Sequence, residues 1–315
     1  MNATMILRRA ILAAGAIFVS LPRFAAGQDV EASDMKIVQI RGIEIATQTF
    51  GSPSDPAILL IMGATASMLG WPDELCAGLA RQGFFVIRFD HRDTGHSTTV
   101  PPGMAEYSVE DMAEDVLGIM DAYNLDKATL MGMSLGGFIA QMVALTHPER
   151  VRSVVLVSSE PLGWDGGELP HISQEFLSHF GKLSTLDWSN HDAVVNFLLA
   201  SDKLSHGTGQ PFDEATARSR VENVIANTDN PASMFNHASV STEMDWTGRF
   251  REIACPTLVI HGEDDPILPV ENGRAIASGI DGSELVILHG VGHELPAASL
   301  PEIIERIAHH MRRLQ

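Results

Sequence analysis

A serine with glycine two residues away on either side stands near the middle of the chain: Gly132-Met133-Ser134-Leu135-Gly136, with Gly137 behind it. The strand-like run Ala128–Met133 (ATLMGM) leads into it, and an amphipathic stretch, Leu135–Thr146, follows. Between a strand and a helix so closely joined the backbone must reverse sharply. The reversal strains the serine and leaves no room for side chains two positions before or after it, so Gly132 and Gly136 form the elbow. It also lifts the hydroxyl to a helix N-terminus, where the helix dipole favours developing negative charge. The chemistry implied is nucleophilic attack by Ser134 on an electrophilic carbonyl carbon.

A serine hydroxyl is a weak nucleophile near neutral pH and needs a histidine within hydrogen-bond reach. The strand–turn–helix around Ser134 resembles the nucleophile turn of α/β-hydrolases, in which the triad follows the chain order Ser…Asp…His. That order selects among thirteen histidines. After the run Leu285–Leu288 comes His289-Gly290-Val291-Gly292-His293, and the two glycines supply a tight loop able to turn His293 toward the serine. His289 abuts the strand and reads as an ordinary loop residue. His309 and His310 fall on a terminal helix and read as solvent-facing. For the acid, the strand Thr257–Ile260 is followed by His261-Gly262-Glu263-Asp264-Asp265-Pro266-Ile267-Leu268-Pro269. The resemblance implies an acid three residues after the glycine and four before a proline, which is Asp265. Asp264 is second in rank, and Glu160, after the strand Val151–Ser158, is third.

Two backbone N–H groups should receive the carbonyl oxygen as it becomes negative, and losing one costs about 2.7–4 kcal/mol of transition-state stabilisation. The amide of Leu135 is one. The other is assigned to Ala64, in the loop Gly63-Ala64-Thr65-Ala66-Ser67 after the apolar run AILLIM. Many relatives carry His-Gly before this donor where this chain has Met62-Gly63. Because the donor is backbone, that change removes nothing essential. No metal is implied, since the chain lacks H-E-x-x-H and any Cys/His cluster at ligand spacing. No cofactor is implied either, since no glycine-rich dinucleotide fingerprint follows the first strand.

These residues need a scaffold, and the rest of the chain supplies one. Strand-like runs at Lys36–Ile40, Ile43–Phe50, Ala57–Met62, Phe84–Phe89, Ala128–Met133 and Val151–Ser158 alternate with helical stretches at Leu75–Gln82, Val109–Tyr123 and Leu135–Thr146. Such alternation predicts parallel βα units. Ser108 stands at the N-cap of the second helix, with Asp111 in its first turn. From Pro161 to about Trp246 no buried strand is apparent, only helical stretches at Ile172–Phe180, His191–Leu199 and Asp213–Asn227. The alternation then resumes with strands Thr257–Ile260 and Glu284–Leu288 and helices Val270–Ser278 and Pro301–Leu314. The expected fold is an α/β-hydrolase: a doubly wound, mostly parallel sheet built from residues 35–160 and 247–315, with a helical cap, 161–246, inserted after the sixth strand. Trp164, Phe176, Phe197 and Phe235 of the cap are expected to face the pocket.

Composition narrows the function classes. A net charge of −19 and a sequence pI near 4.9 argue against nucleic acid and anionic lipid as partners, and favour neutral substrates over polyanions. The first 27 residues stand apart: Arg8-Arg9, an apolar run from Ala10 to Leu21, then Ala25-Ala26-Gly27, the order of a secretory signal. The run is shorter than the roughly 20 apolar residues that span a bilayer. No stable membrane insertion is therefore expected after processing. The expected location is periplasmic or secreted, or cytoplasmic if the segment is not a functional signal. Cys76 and Cys255 read as buried, unpaired thiols.

Several further stretches resemble one branch of the family, aclacinomycin methylesterase and its bacterial relatives. They are Leu69-Gly70-Trp71-Pro72-Asp73-Glu74, the loop from Arg88 to Thr99 (RFDHRDTGHSTT), the Met62-Gly63 turn and Gly292-His293-Glu294-Leu295-Pro296. The resemblance covers most of Lys36 to Arg313 and is weakest through the cap. It implies cleavage of a methyl or other small-alcohol ester of a small hydrophobic substrate. Asp90 and Arg92 stand where the wider family has a structural Asp-x-Arg-Gly loop, with Asp93 in place of the glycine; they read as scaffold. The same triad serves lactonases, carbon–carbon hydrolases and N-terminal peptidases, and a non-catalytic ligand-binding protein on this scaffold also remains open.

Overall fold

A computed structural model describes residues 30–314 of the chain; the expected signal segment, 1–27, lies outside the described residues. Strands β1 (Lys36–Ile40) and β2 (Ile43–Phe50) form a hairpin through Arg41-Gly42. Both turn residues have positive φ, 46° and 86°, the two-residue turn whose twist matches that of its strands. There follow β3 (Ala57–Ile61), β4 (Phe85–Phe89), β5 (Ala128–Met133), β6 (Val151–Val157), β7 (Thr257–Gly262) and β8 (Glu284–Leu288). All eight join one sheet in the order β1-β2-β4-β3-β5-β6-β7-β8. β2 pairs antiparallel with β1 and β4, and every other pairing is parallel.

The helices are α1 (Asp73–Arg81), α2 (Val109–Ala122), α3 (Leu135–Thr146), α4 (Gln174–Phe180), α5 (His191–Ser205), α6 (Glu214–Ala226), α7 (Glu271–Gly279) and α8 (Leu300–Arg312). In β3, Leu59 and Ile61 pack on one face of the sheet with Leu130, Leu156 and residues of α2 and α3. Ile58 and Leu60 pack on the other face with Met131, Val155 and residues of α1 and α8. Both faces of the central strands are covered, which is why these runs read as continuously apolar and not as alternating.

Most element ends fall within one or two residues of the sequence expectation. Helix α1 begins earlier, at Asp73, because Pro72 precedes it and two carboxylates fill its first turn. Helix α5 runs on to Ser205 instead of stopping at Leu199, and this extension reaches the loop that carries His293. Between β6 and β7 there is no strand, only α4–α6 and short 3-10 turns, a helical cap inserted after the sixth strand. Among the described residues no helix is long and apolar enough to cross a membrane.

The reading of His310 as solvent-facing is wrong. It lies one turn beyond Ile307 on the apolar stripe of α8, and its side chain is only 4% exposed, while His309 faces outward. Cys76 is buried and Cys255 half-buried, neither is in a disulfide, and burial pushes the thiols up to about 12 and about 11.

Helix α2 begins in a reciprocal cap: Ser108 Oγ accepts the Asp111 N–H (3.2 Å), and the Asp111 carboxylate accepts the Ser108 N–H (3.1 Å). Ser108→Ala should therefore lower the free energy of unfolding by about 1 kcal/mol in a urea titration, with catalytic constants unchanged.

Candidate active site

The elbow is built by close approach. Ser134 has φ 52° and ψ −120°, a backbone conformation an L-residue adopts only under constraint. A Cβ on Gly132 would run into the Gly136 carbonyl, one on Gly136 into the carbonyls of Ile61 and Met62, and one on Gly137 to 2.6 Å from the Ser159 side chain. Four hydrogen bonds hold the turn. The Ser134 N–H donates to Val157 O (3.0 Å). The Ser134 carbonyl accepts the N–H groups of Gly137 (2.9 Å) and Phe138 (3.1 Å) and the Ser159 hydroxyl (2.9 Å).

Asp265 and His293 come together as the sequence reading expects. His293 Nδ1–H donates to Asp265 Oδ2 at 2.7 Å, which leaves Nε2 as the free ring nitrogen. Asp265 Oδ1 accepts the N–H groups of Ile267 (2.9 Å) and Leu268 (2.8 Å). Burial by itself would push this carboxyl up. The electrostatic attraction and hydrogen bond of His293, with lesser help from His261 and the Leu268 N–H, hold it below the ordinary carboxylate range. His261, expected just past the strand, lies within β7 and is fully buried behind Asp265. Its Nε2–H donates to Leu268 O (2.6 Å) and sits 3.6 Å from Asp265 Oδ2.

The other carboxylates point elsewhere, Asp264 and Glu160, ranked second and third, among them. Asp264 accepts the N–H (2.9 Å) and hydroxyl of Thr208 in the cap. Glu263 pairs with the exposed His289 at 2.9 Å. Glu160 pairs with His171 at 3.4 Å in the wall of the cavity described below.

The glycines before His293 have different reasons for being glycine. Gly290 sits at φ 69°, a true turn position. Gly292 has no such φ; a Cβ there would collide with Ser205 O and approach the Gly207 N–H at 2.7 Å. The loop therefore lies directly against the cap. The His293 N–H donates to Ser205 O (2.8 Å), the Gly209 N–H to Gly290 O (2.8 Å), and Glu294 accepts from the Gly207 N–H (2.9 Å) and His206 Nδ1 (2.8 Å).

On the other side of Ser134 lies the loop carrying Ala64. A Cβ on Gly63 would lie 3.2 Å from Ser134 Cβ and 3.8 Å from its Oγ, so this backbone rests on Ser134. Neither the Ala64 nor the Leu135 N–H donates to a protein acceptor among the described residues. Two histidines grip the loop. His91 Nε2–H donates to Met62 O (3.0 Å), and His237 Nδ1, from the cap, accepts the Thr65 N–H (3.1 Å). His237 carries no sequence signal, since nothing in the cap's pattern marks it. The Asp90–Asp93 loop beneath is scaffold. Asp90 accepts the Met68 (2.7 Å) and His96 (3.0 Å) N–H groups, and Arg92 grips Asp115 through two 2.7 Å hydrogen bonds. Asp93 stands at φ 68°, which explains the glycine of relatives, and its carboxylate accepts from Tyr107 (2.6 Å), Val100 (2.6 Å) and Asn236 (3.0 Å).

Ser134, Leu135, Ala64 and His293 line one cavity of about 930 Å³. No hydrogen bond joins Ser134 Oγ to His293 in this structure; such contacts are commonly loose before substrate binds. Phe176 and Phe235 line the cavity as expected, joined by Phe180. Trp164 and Phe197 do not. Trp164 packs against Phe250 of the core and donates to Gly167 O, and Phe197 stacks on His179 within the cap, so each serves to anchor its own segment. Among the described residues no cluster of His, Cys, Asp or Glu is placed to hold a metal ion.

Ser134→Ala and His293→Ala should each lower turnover of a p-nitrophenyl ester by several orders of magnitude while thermal unfolding stays cooperative, because triad members act as a unit. Asp265→Asn should lose roughly 10⁴-fold through the wrong histidine tautomer, and Asp264→Asn far less. The reverse order of the two aspartates would show the acid to be wrongly assigned.

Residues 56–296 match the family model for the alpha/beta hydrolase fold. The chain is 30% identical over 287 residues to rhodomycin D methylesterase DauP of Streptomyces sp. (strain C5), covering 86% of this chain and 95% of that protein. It is 29% identical to rhodomycin D methylesterase DnrP of Streptomyces peucetius, with the same coverage. Among solved structures, the esterase EaEST from Exiguobacterium antarcticum superimposes with a TM-score of 0.73 at 19% identity, over 88% of this chain and 99% of that one. The match to the family model spans both halves of the sheet and the cap between them, and this chain belongs to the alpha/beta hydrolase fold family.

Proposed function

We propose that the protein hydrolyses carboxylic esters through an acyl-enzyme, with Ser134 as nucleophile, His293 as base and Asp265 as the acid that orients it. The observation that carries this reading is the 2.7 Å His293–Asp265 hydrogen bond, set on the same cavity as the strained Ser134. Ser134 Oγ attacks the ester carbonyl as His293 Nε2 takes its proton. Asp265 holds the Nδ1–H tautomer and stabilises the imidazolium that forms. The amides of Ala64 and Leu135 receive the oxyanion. His293 then gives its proton to the departing alcohol, and the acyl-enzyme forms. Water, deprotonated by the same histidine, attacks the acyl carbon and releases the acid and the free serine. The similarity to two methylesterases supports an ester, and a small leaving alcohol, as the substrate class.

The cavity wall supports a neutral, hydrophobic acyl group. Its cap side presents Phe176, Phe180, Val221 and Phe235, and its charged groups are paired with one another, Arg220 with Asp202 at 2.7 Å and His171 with Glu160. Apolar walls with a few placed polar groups are the usual build of small-molecule sites. Across methyl, butyl and bulky-alcohol esters of one aromatic acid, kcat/KM should be highest for the methyl ester and lower again for acyl groups carrying a carboxylate. A preference for peptides, charged acyl groups or vinylogous diketones over every ester would overturn the substrate class.

The same reading takes residues 1–27 as an export signal, supported by the order of Arg8-Arg9, the apolar run and Ala25-Ala26-Gly27. Protein purified from the native host should begin near Gln28 on N-terminal sequencing. Finding Met1 or Asn2 at the mature terminus would defeat this assignment.

A further inference from the structure

We propose that His237, a cap residue 172 positions from Thr65 in sequence, is a positioning residue that sets the oxyanion loop by accepting the Thr65 N–H. The inference rests on the reading of Ala64 as an oxyanion donor. Ala64 is bracketed by two constraints. On its N-terminal side, Gly63 lies against Ser134, and the Met62 carbonyl accepts from the buried His91. On its C-terminal side, Thr65 has φ 62°, an unfavourable conformation for a β-branched residue, so some contact must hold it there. The contact present is the 3.1 Å hydrogen bond from the Thr65 N–H to His237 Nδ1.

The ring is suited to this task. His237 Nε2 stands 2.8 Å from the Arg92 carbonyl, so that nitrogen carries the hydrogen and Nδ1 keeps its lone pair for Thr65. An imidazolium would set an Nδ1–H against the Thr65 N–H. The residue is 4% exposed, and burial depresses its pKa against the opposing pull of the Arg92 carbonyl and Asp93, with the Arg92 charge adding to the depression; the ring of His91 meets it edge-on at 5.8 Å. His237 is also fixed to the core independently of the rest of the cap. Its neighbour Asn236 donates to Asp93 (3.0 Å) and accepts the Gly103 N–H (2.7 Å), and Ser233 donates to Val100 O (2.7 Å). A rigid acceptor is thereby held over a strained loop one residue from the proposed donor.

The oxyanion contact forms as charge develops, so loss of its alignment appears in kcat and not in KM. The test is the kinetics of His237→Asn, His237→Gln and His237→Leu on one methyl ester, with thermal unfolding of each. The Asn carboxamide oxygen stands where Nδ1 stood and keeps the acceptor. Gln extends its polar group to the Nε2 position, toward Arg92, and abandons Thr65. Gln and Leu should lower kcat about 10- to 100-fold with KM within about 3-fold, and Asn should stay within about 5-fold of wild type, as expected for misplacing one donor by a fraction of an ångström. Should the Leu variant unfold, the Asn and Gln variants, both polar, carry the comparison. Wild-type kcat in the Gln variant, or losses confined to KM and melting temperature with Asn no better than Gln, would overturn the inference while leaving ester hydrolysis intact. Failure of the wild-type protein to turn over any ester would instead defeat the function proposed above, and this inference with it.

Discussion

The backbone of Ser134, held at φ 52°, is the constraint from which the site is arranged. A residue in such a conformation costs about 1–3 kcal/mol and persists only where its surroundings over-determine it. Here the surroundings are specific: three donors converge on the Ser134 carbonyl, the Val157 carbonyl takes its N–H, and glycines stand at each neighbouring position where a Cβ would collide. The sheet order explains why these partners are at hand. β5 lies between β3 and β6, so the serine at its end meets the loop after β3 on one side and Ser159, after β6, on the other. β7 and β8 come next, and the loops after them carry Asp265 and His293. Residues far apart in sequence meet because parallel strands end on the same edge of the sheet.

The cap belongs to the site's framework and is more than a cover. It accepts the His293 N–H at Ser205, grips Glu294 through His206 and Gly207, takes Asp264 with Thr208 and reaches the loop of Ala64 with His237. Every loop around Ser134 except the elbow itself is therefore bonded to cap backbone or side chain. Movement of the cap and alignment of Asp265, His293 and the Ala64 loop are mechanically linked. The region expected from its pattern to line a pocket also sets the groups that would react within it.

Three carboxylates of the core show how buried charge is tolerated beneath this framework. Asp90 lies between two backbone N–H groups, Asp93 takes a phenol, an amide side chain and a backbone N–H, and Asp115 is held by both arms of Arg92. Each is satisfied by several donors, the condition under which a buried carboxylate is tolerated. Removing one donor would leave a desolvated carboxylate oxygen with fewer partners, at a cost in stability. That cost accounts for the density of polar residues in the RFDHRDTGHSTT loop better than any chemical role does.

The fold and the elbow were legible in the sequence because both rest on local rules. Continuous apolar runs mark strands covered on two faces, and a serine between spaced glycines at a strand–helix junction has few other uses. The pairing of Asp265 with His293 came from the resemblance, whose chain order and loop pattern put the two residues on the loops after β7 and β8. The reason for Gly292 was misread, since a glycine forced by close approach looks in sequence like one forced by φ, and only the position of Ser205 distinguishes them. His310 was misread because a polar residue can be buried on an apolar stripe, as this one is at 4% exposure. The two aromatics that turn away from the cavity, Trp164 and Phe197, and the grip of His237 on Thr65 lay beyond any pattern. They depend on how the cap packs on itself and on the core, and for His237 and Thr65 that joins residues 172 positions apart. Local periodicity reports which face of an element is buried; it carries no record of what the face is buried against.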